Sequence, residues 1–212
     1  MKTIVYLVRH GETKWNALGK FQGSQDIELS TEGINQAKYV ANALKDKFDV
    51  IYSSPLKRAL KTSQIICGNM DIEINIENEL REINFGEWEG LTVKEIRTGF
   101  PEAFQKWTTD LSEGPICGGE LSIRNASMRA KNAILKAVQK HEGKRIVIVA
   151  HGGIIKAGLI GIFNWNMTMY HKMALGNTSI CKLFFDDNIN PKIVTLNDTS
   201  HLPDDYEIKS YV

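Results

Sequence analysis

Two short runs, Ile4 to Val8 and Ile146 to Val149, each lead within two residues to a histidine followed by glycine, and this repeat constrains the fold most. The first run is β-branched or aromatic except for Leu7, and the second is wholly β-branched, which suits buried strands. His151-Gly152-Gly153 is followed by Ile154-Ile155-Lys156-Ala157-Gly158-Leu159, apolar enough to begin a packed helix. Strand, glycine turn and helix make the βα half of a βαβ unit. Ligands of open parallel sheets bind beyond the carboxyl ends of the strands, so His10 and His151 belong on one edge. If their strands are neighbours, the two imidazoles face each other across one pocket. Gly11 is expected to let the backbone turn close to a ligand.

Positive charge gathers at the same edge. Arg9 precedes His10, and Phe48 to Ser54 reads as a third strand. Pro55 fits the first turn of a helix, with Ser54 as its N-cap, which puts Arg58 near the positive end of that helix. Two guanidinium groups beside two histidines can clamp a phosphate, because each offers its oxygens a bidentate fork.

These residues form part of an ordered series. It includes Arg9-His10-Gly11, Thr13 to Asn16, Gln22-Gly23, Leu29 to Gly33, Tyr52 to Ala59, Leu80 to Gly90, Gly118-Gly119-Glu120 and His151-Gly152. The series resembles the histidine phosphatase superfamily, also called the phosphoglycerate mutase-like family, through almost the whole chain. Its closest likeness is to the bacterial broad-specificity and α-ribazole phosphatase branches. The resemblance implies a metal-independent phosphomonoester hydrolase that works through a phosphohistidine on small phosphorylated metabolites.

Phosphoryl transfer by this route needs a nucleophile, a cage for the phosphate oxygens and a proton donor. A neutral imidazole is available near pH 7 without drastic tuning, and His10 takes the nucleophile's role. Arg9, Arg58 and His151 form the cage, His151 as a cation or donor, with Gly152 beside it. The loop after the first strand adds Asn16, Gln22 and Gly23, Asn16 ranking above Gln22 by resemblance. The resemblance also places the acid, and later the base for water, at Glu82, ahead of Glu12, Glu87 and Glu89. Phe85 and His201 are candidates for contact with the non-phosphate part of the substrate.

The segment Glu82-Ile83-Asn84-Phe85-Gly86 lacks the Glu-Arg-His-Tyr-Gly of cofactor-dependent mutases, which favours hydrolysis. A cofactor-dependent phosphoglycerate mutase is the alternative, and a non-catalytic phospho-ligand-binding protein the minor one. Metal-independent phosphoserine phosphatases of the family tend to carry His at the position of Phe85, which points away from a small charged amino-acid substrate. Neither a metal nor an organic cofactor is expected. Arg9 would repel a cation held by His10, Glu12 and His151, and no nucleotide-binding glycine motif occurs.

The remaining sequence reads as one α/β domain over residues 1–212. The expected fold is a three-layer sandwich, a mostly parallel central sheet with helices on both faces. Helices are predicted at 31–47, 56–67 and 123–141, and strands at 3–8, 48–53, 145–150, 178–185 and 192–197, with a short one near 72–76. Residues 91–122 break the rhythm and are read as a helical and loop insertion over the pocket. There, plain packing and substrate contact stand at even odds for Trp88, Phe104 and Trp107. Twenty-six basic against 25 acidic residues leave no charge excess to attract nucleic acid or a membrane surface. Three scattered cysteines suggest neither a disulfide framework nor a zinc site. With no signal peptide or spanning segment, a cytoplasmic protein is expected. An exposed edge strand leaves a homodimer open.

Overall fold

The two histidine-terminated strands lie side by side. In a computed structural model, which describes residues 2–204 and 206, β1 (Thr3–Arg9) pairs in parallel with β4 (Arg145–Ala150). Arg9 is opposite Ala150, so His10 and His151 leave the sheet at the same level. β2 (Val50–Ser53) and β3 (Ile74–Ile76) extend the parallel part beyond β4. β5 (Ile180–Phe185) and β6 (Pro191–Asp198) add antiparallel strands on the other side, giving the order β3-β2-β4-β1-β5-β6.

Alternation along the strands builds two cores. Val5 and Leu7 of β1 face one side with Ile146 and Ile148, while Tyr6 and Val8 face the other with Val147 and Val149. The first side is covered by α6 (Ile123–Lys140) and α7 (Gly152–Phe163). The second is covered by α2 (Thr31–Leu44) and α3 (Lys57–Cys67). α1 (Lys14–Ala17) is a single turn between β1 and α2, capped by Thr13. The three-layer α/β expectation therefore holds. The insertion contains α4 (Val93–Gly99) and α5 (Pro101–Thr109), and Trp107 of α5 packs with Phe21, Phe85 and Trp88.

Several element ends differ from their predicted places for local reasons. α2 stops at Leu44, because Asp46 takes a left-handed φ of 60°. β5 begins only at Ile180, after Thr178 with φ 56°. Pro55 and Leu56 precede α3 rather than starting it, and Ser54 is not the N-cap. The hydroxyl of Ser54 accepts from the Leu56 N–H, and Asp26 Oδ1, from a distant loop, accepts from Lys57 N at 2.7 Å. Arg58 still lies in the first turn of α3.

Candidate active site

His10 is held from several directions just past β1. Its N–H donates to Ala150 O at 3.0 Å, and its carbonyl accepts from Asn177 Nδ2 and the Thr178 N–H. Gly11 is required by packing. A Cβ at that position would lie 2.3 Å from Gly33 O, so the glycine lets the loop cross the first turn of α2.

The ring tautomers follow from the hydrogen bonds. His10 Nδ1 lies 2.6 Å from Gly11 O and so carries the proton, leaving Nε2 as the acceptor. Arg58 Nε stands 3.3 Å from that Nε2 and 3.1 Å from His151 Nδ1, so one guanidinium N–H is shared between two imidazole lone pairs. His151 Nε2 donates to Ser54 Oγ at 2.7 Å. The two rings sit 5.1 Å apart, edge to face.

Burial and the neighbouring Arg58 and Arg9 push both histidines well below the usual range, His10 adding to the effect on His151. Of the two roles expected for His151, cation or donor, burial and the guanidinium charges disfavour the first, and the bond from Nε2 to Ser54 is an instance of the second. With Nδ1 accepting from Arg58, it is neutral. Arg9 and Arg58 are themselves 1% and 0% exposed, and burial lowers each to about 10, still well above neutral pH. Arg9 donates to Leu175 O, while Arg58 is anchored through Gln25 O and Gly23 O. Gly23 thus serves through its carbonyl, at a φ of 54° where a Cβ would strike Glu89.

Glu82 enters from the loop beyond β3. Its carboxylate accepts from Ile83 N at 2.9 Å, Gly153 N at 3.0 Å and Ile154 N at 2.8 Å. Two of these donors belong to the first turn of α7, where the helix dipole also favours negative charge. Farther out, Arg129 of α6 donates to the carbonyls of Glu79 and Arg81 and grips Glu120 through two nitrogens. Glu120 thereby supports the loop that carries Glu82. Ser122 caps α6.

The other carboxylates have different tasks. Glu12 accepts from the N-cap hydroxyl of Ser30. Glu89 ties Ser24, Gln25 and the Phe85 N–H together. Glu87 is exposed.

A small pocket of about 320 Å³, open to solvent, brings together Arg9, His10, Gln22, Arg58, Glu82 and Gly153, walled by Phe21, Phe85 and Tyr170. Larger concavities elsewhere on the surface, such as that beside Phe100 and Pro115, hold none of this chemistry. Gln22 reaches the pocket wall, whereas Asn16 is buried with its Oδ1 accepting from Thr13 and Asn177. Gln22 is held by the same threonine, its Oε1 accepting from Thr13 Oγ1 at 2.8 Å. His151 lies behind Arg58, and Gly152 packs against the Arg9 side chain. His201 contacts Thr178 Oγ1 at 3.3 Å and does not line the pocket. Trp88 is fully buried packing, while Phe104 and Trp107 line a neighbouring cavity.

Two residues of the site escaped the sequence reading. Tyr170 lies in a 3-10 turn (Met167–Lys172) whose pattern carries no motif. Lys156 is a single polar interruption in the apolar helix α7.

Comparison with known proteins shows the family. Residues 5–199 match the model of the histidine phosphatase superfamily (branch 1). Phosphoserine phosphatase 1 of Hydrogenobacter thermophilus is 32% identical over 201 residues, covering 94% of each chain. A probable phosphoglycerate mutase of Escherichia coli is 31% identical over 210 residues, covering 93% of this chain and 94% of that one. The phosphoserine phosphatase of Entamoeba histolytica, solved with phosphoserine, superposes with a TM-score of 0.89 at 40% identity. That match covers 95% of this chain and all of the other.

Proposed function

The chain belongs to the histidine phosphatase superfamily and is a phosphatase, and from that premise we propose that His10 is its nucleophile and Glu82 its proton shuttle. The observation that carries the proposal is the tautomer of His10. Its lone pair on Nε2 faces the pocket between Arg58 and Glu82, while Nδ1–H is tied to Gly11 O.

In the first half-reaction Nε2 attacks phosphorus, the P–N bond forms and the P–O ester bond breaks. A proton from Glu82 goes to the leaving alkoxide. Arg9 and Arg58 hold the phosphate oxygens, with Gln22 and the Gly153 side of the pocket around them. Positive charge growing on the imidazole is met by the Gly11 carbonyl at Nδ1–H. In the second half-reaction water attacks the phosphohistidine, gives a proton to Glu82, and the P–N bond breaks. The product is inorganic phosphate, and the enzyme returns to its starting state.

The substrates are small phosphate monoesters. Phosphoserine, which the Entamoeba histolytica relative binds, is the first ester to try. The test is phosphate release from a panel of such esters with EDTA present, for the wild type and for His10→Ala. We expect turnover by the wild type without added metal, and none by the variant despite an unchanged circular dichroism spectrum. Retained turnover in folded His10→Ala would remove histidine from the mechanism.

A further inference from the structure

The catalytic pocket is not isolated. Phe21 and Tyr170 line both it and a larger adjoining cavity of about 650 Å³, whose walls also include Phe104, Trp107 and Met173. Into this mostly aromatic space comes one cation, Lys156, only 7% exposed. Its Nζ stands 4.1 Å from the centre of the Tyr170 ring, and among the described residues no carboxylate pairs with it. A contact with an aromatic face returns less than burying an ammonium costs. Burial, with the Arg9 charge adding to it and the nearby Glu82 charge opposing it, lowers the ammonium to about 8, so at neutral pH it remains mainly charged. His171, the other titratable group on this wall besides Tyr170, is pushed down by burial and adds no positive charge.

The position matters as much as the charge. Lys156 follows Gly153, which lines the catalytic pocket, by three residues on α7, or about 4.5 Å along the helix axis. The glycine at the catalytic pocket and the lysine at the adjoining cavity thus lie within one turn of the same helix. The phosphate already has Arg9 and Arg58, so a further cation here answers a second negative group on the same molecule. This cavity has one ammonium and neither a second guanidinium nor a helix N-terminus, which suits a carboxylate better than another phosphate.

The geometry points to Lys156 as a second anion subsite, which takes the carboxylate of a phosphorylated carboxylic acid while its phosphate sits against His10. The inference rests on the phosphate position given above. It makes Lys156 a specificity residue outside the chemical step.

The experiment compares 3-phosphoglycerate with glycerol 3-phosphate, which replaces the carboxylate by a hydroxymethyl group, and with p-nitrophenyl phosphate. Each is assayed by kcat/KM on the wild type, Lys156→Met and Lys156→Arg. The wild type should favour 3-phosphoglycerate over glycerol 3-phosphate by at least about tenfold, the range of one charged hydrogen bond. Lys156→Met should erase that preference, its loss on 3-phosphoglycerate exceeding its losses on the other two esters by the same factor. Lys156→Arg should keep part of it. Should Lys156→Met fail to fold, inhibition of wild-type p-nitrophenyl phosphate hydrolysis decides, 3-phosphoglycerate being expected to give the lower KI. Equal losses on all three esters, or equal KI values, would overturn the subsite. Activity surviving in His10→Ala would instead overturn the phosphate assignment beneath it.

Discussion

Gly153→Ala tests the placement of Glu82, the group nearest to the added methyl. A Cβ built on Gly153 lies 2.6 Å from Glu82 Oε1 and 2.8 Å from the Tyr170 hydroxyl. Restoring the 3.4 Å of ordinary contact requires the carboxylate to withdraw by about 0.8 Å. It cannot do so freely, since its hydrogen bonds to Ile83, Gly153 and Ile154 are 2.8–3.0 Å long and would be stretched or lost. Weakening one charged hydrogen bond costs about 1.5–3 kcal/mol, while alanine in place of glycine in a helix returns about 1 kcal/mol. The net stability change is therefore small, at most about 2 kcal/mol by the same figures. Catalysis should suffer more, because a misplacement of about 1 Å can cost roughly a hundredfold. The assay is kcat/KM on glycerol 3-phosphate, whose alkoxide must be protonated, beside p-nitrophenyl phosphate, whose phenolate leaves readily. We expect about a 10- to 100-fold loss on the first and less than about fivefold on the second. Gly158→Ala, whose Cβ would meet only Ile134 and Ala130, is the control on the same helix. A folded Gly153→Ala with undiminished activity on glycerol 3-phosphate would refute the placement argument.

Two further outcomes follow. Glu82→Gln should leave p-nitrophenyl phosphate hydrolysis much less affected than that of alkyl esters, and equal losses on both would argue against a proton-donor role. The buried histidines make stability depend on pH. Their folded values lie well below 6.5, so the unfolded chain binds protons below pH 6.5 that the folded chain does not. Stability should accordingly fall as pH drops from about 6.5 to 5, by up to about 1.4 kcal/mol per pH unit for each such histidine. Urea unfolding in that window should show His10→Ala with a slope about 1.4 kcal/mol per pH unit shallower than wild type, and parallel curves would show that His10 is not held neutral.

What could be read from the sequence was whatever repeats locally. The β-branched runs of β1 and β4, the glycine turns and the helical spacing of α2, α3 and α6 all show in windows of a few residues. The edge that gathers Arg9, His10, Arg58 and His151 follows from strands ending together. Contacts between distant segments were not legible. The cap of α3 comes from Asp26, Gly11 answers Gly33, and Glu89 fastens two loops, none of which leaves a local pattern. Lys156 was hidden for a related reason. In an apolar helix a single lysine reads as a solvated interruption, and only the placement of Tyr170 and Trp107 shows that it faces a cavity.

The electrostatics of the pocket explain why His10 needs no general base. In a serine hydrolase triad a carboxylate orients the histidine and stabilises its imidazolium. Here the Nδ1 proton goes to the neutral Gly11 carbonyl, and among the described residues no carboxylate hydrogen-bonds to the ring. A carboxylate at that point would favour the protonated ring and remove the nucleophilic lone pair. Arg9 and Arg58 have the opposite effect, disfavouring a proton on either histidine while offering their own charge to a phosphate. Burial is the larger cause of the neutral rings, and two guanidinium groups fixed by backbone carbonyls add to it; in the proposed reaction the same two groups hold the phosphate.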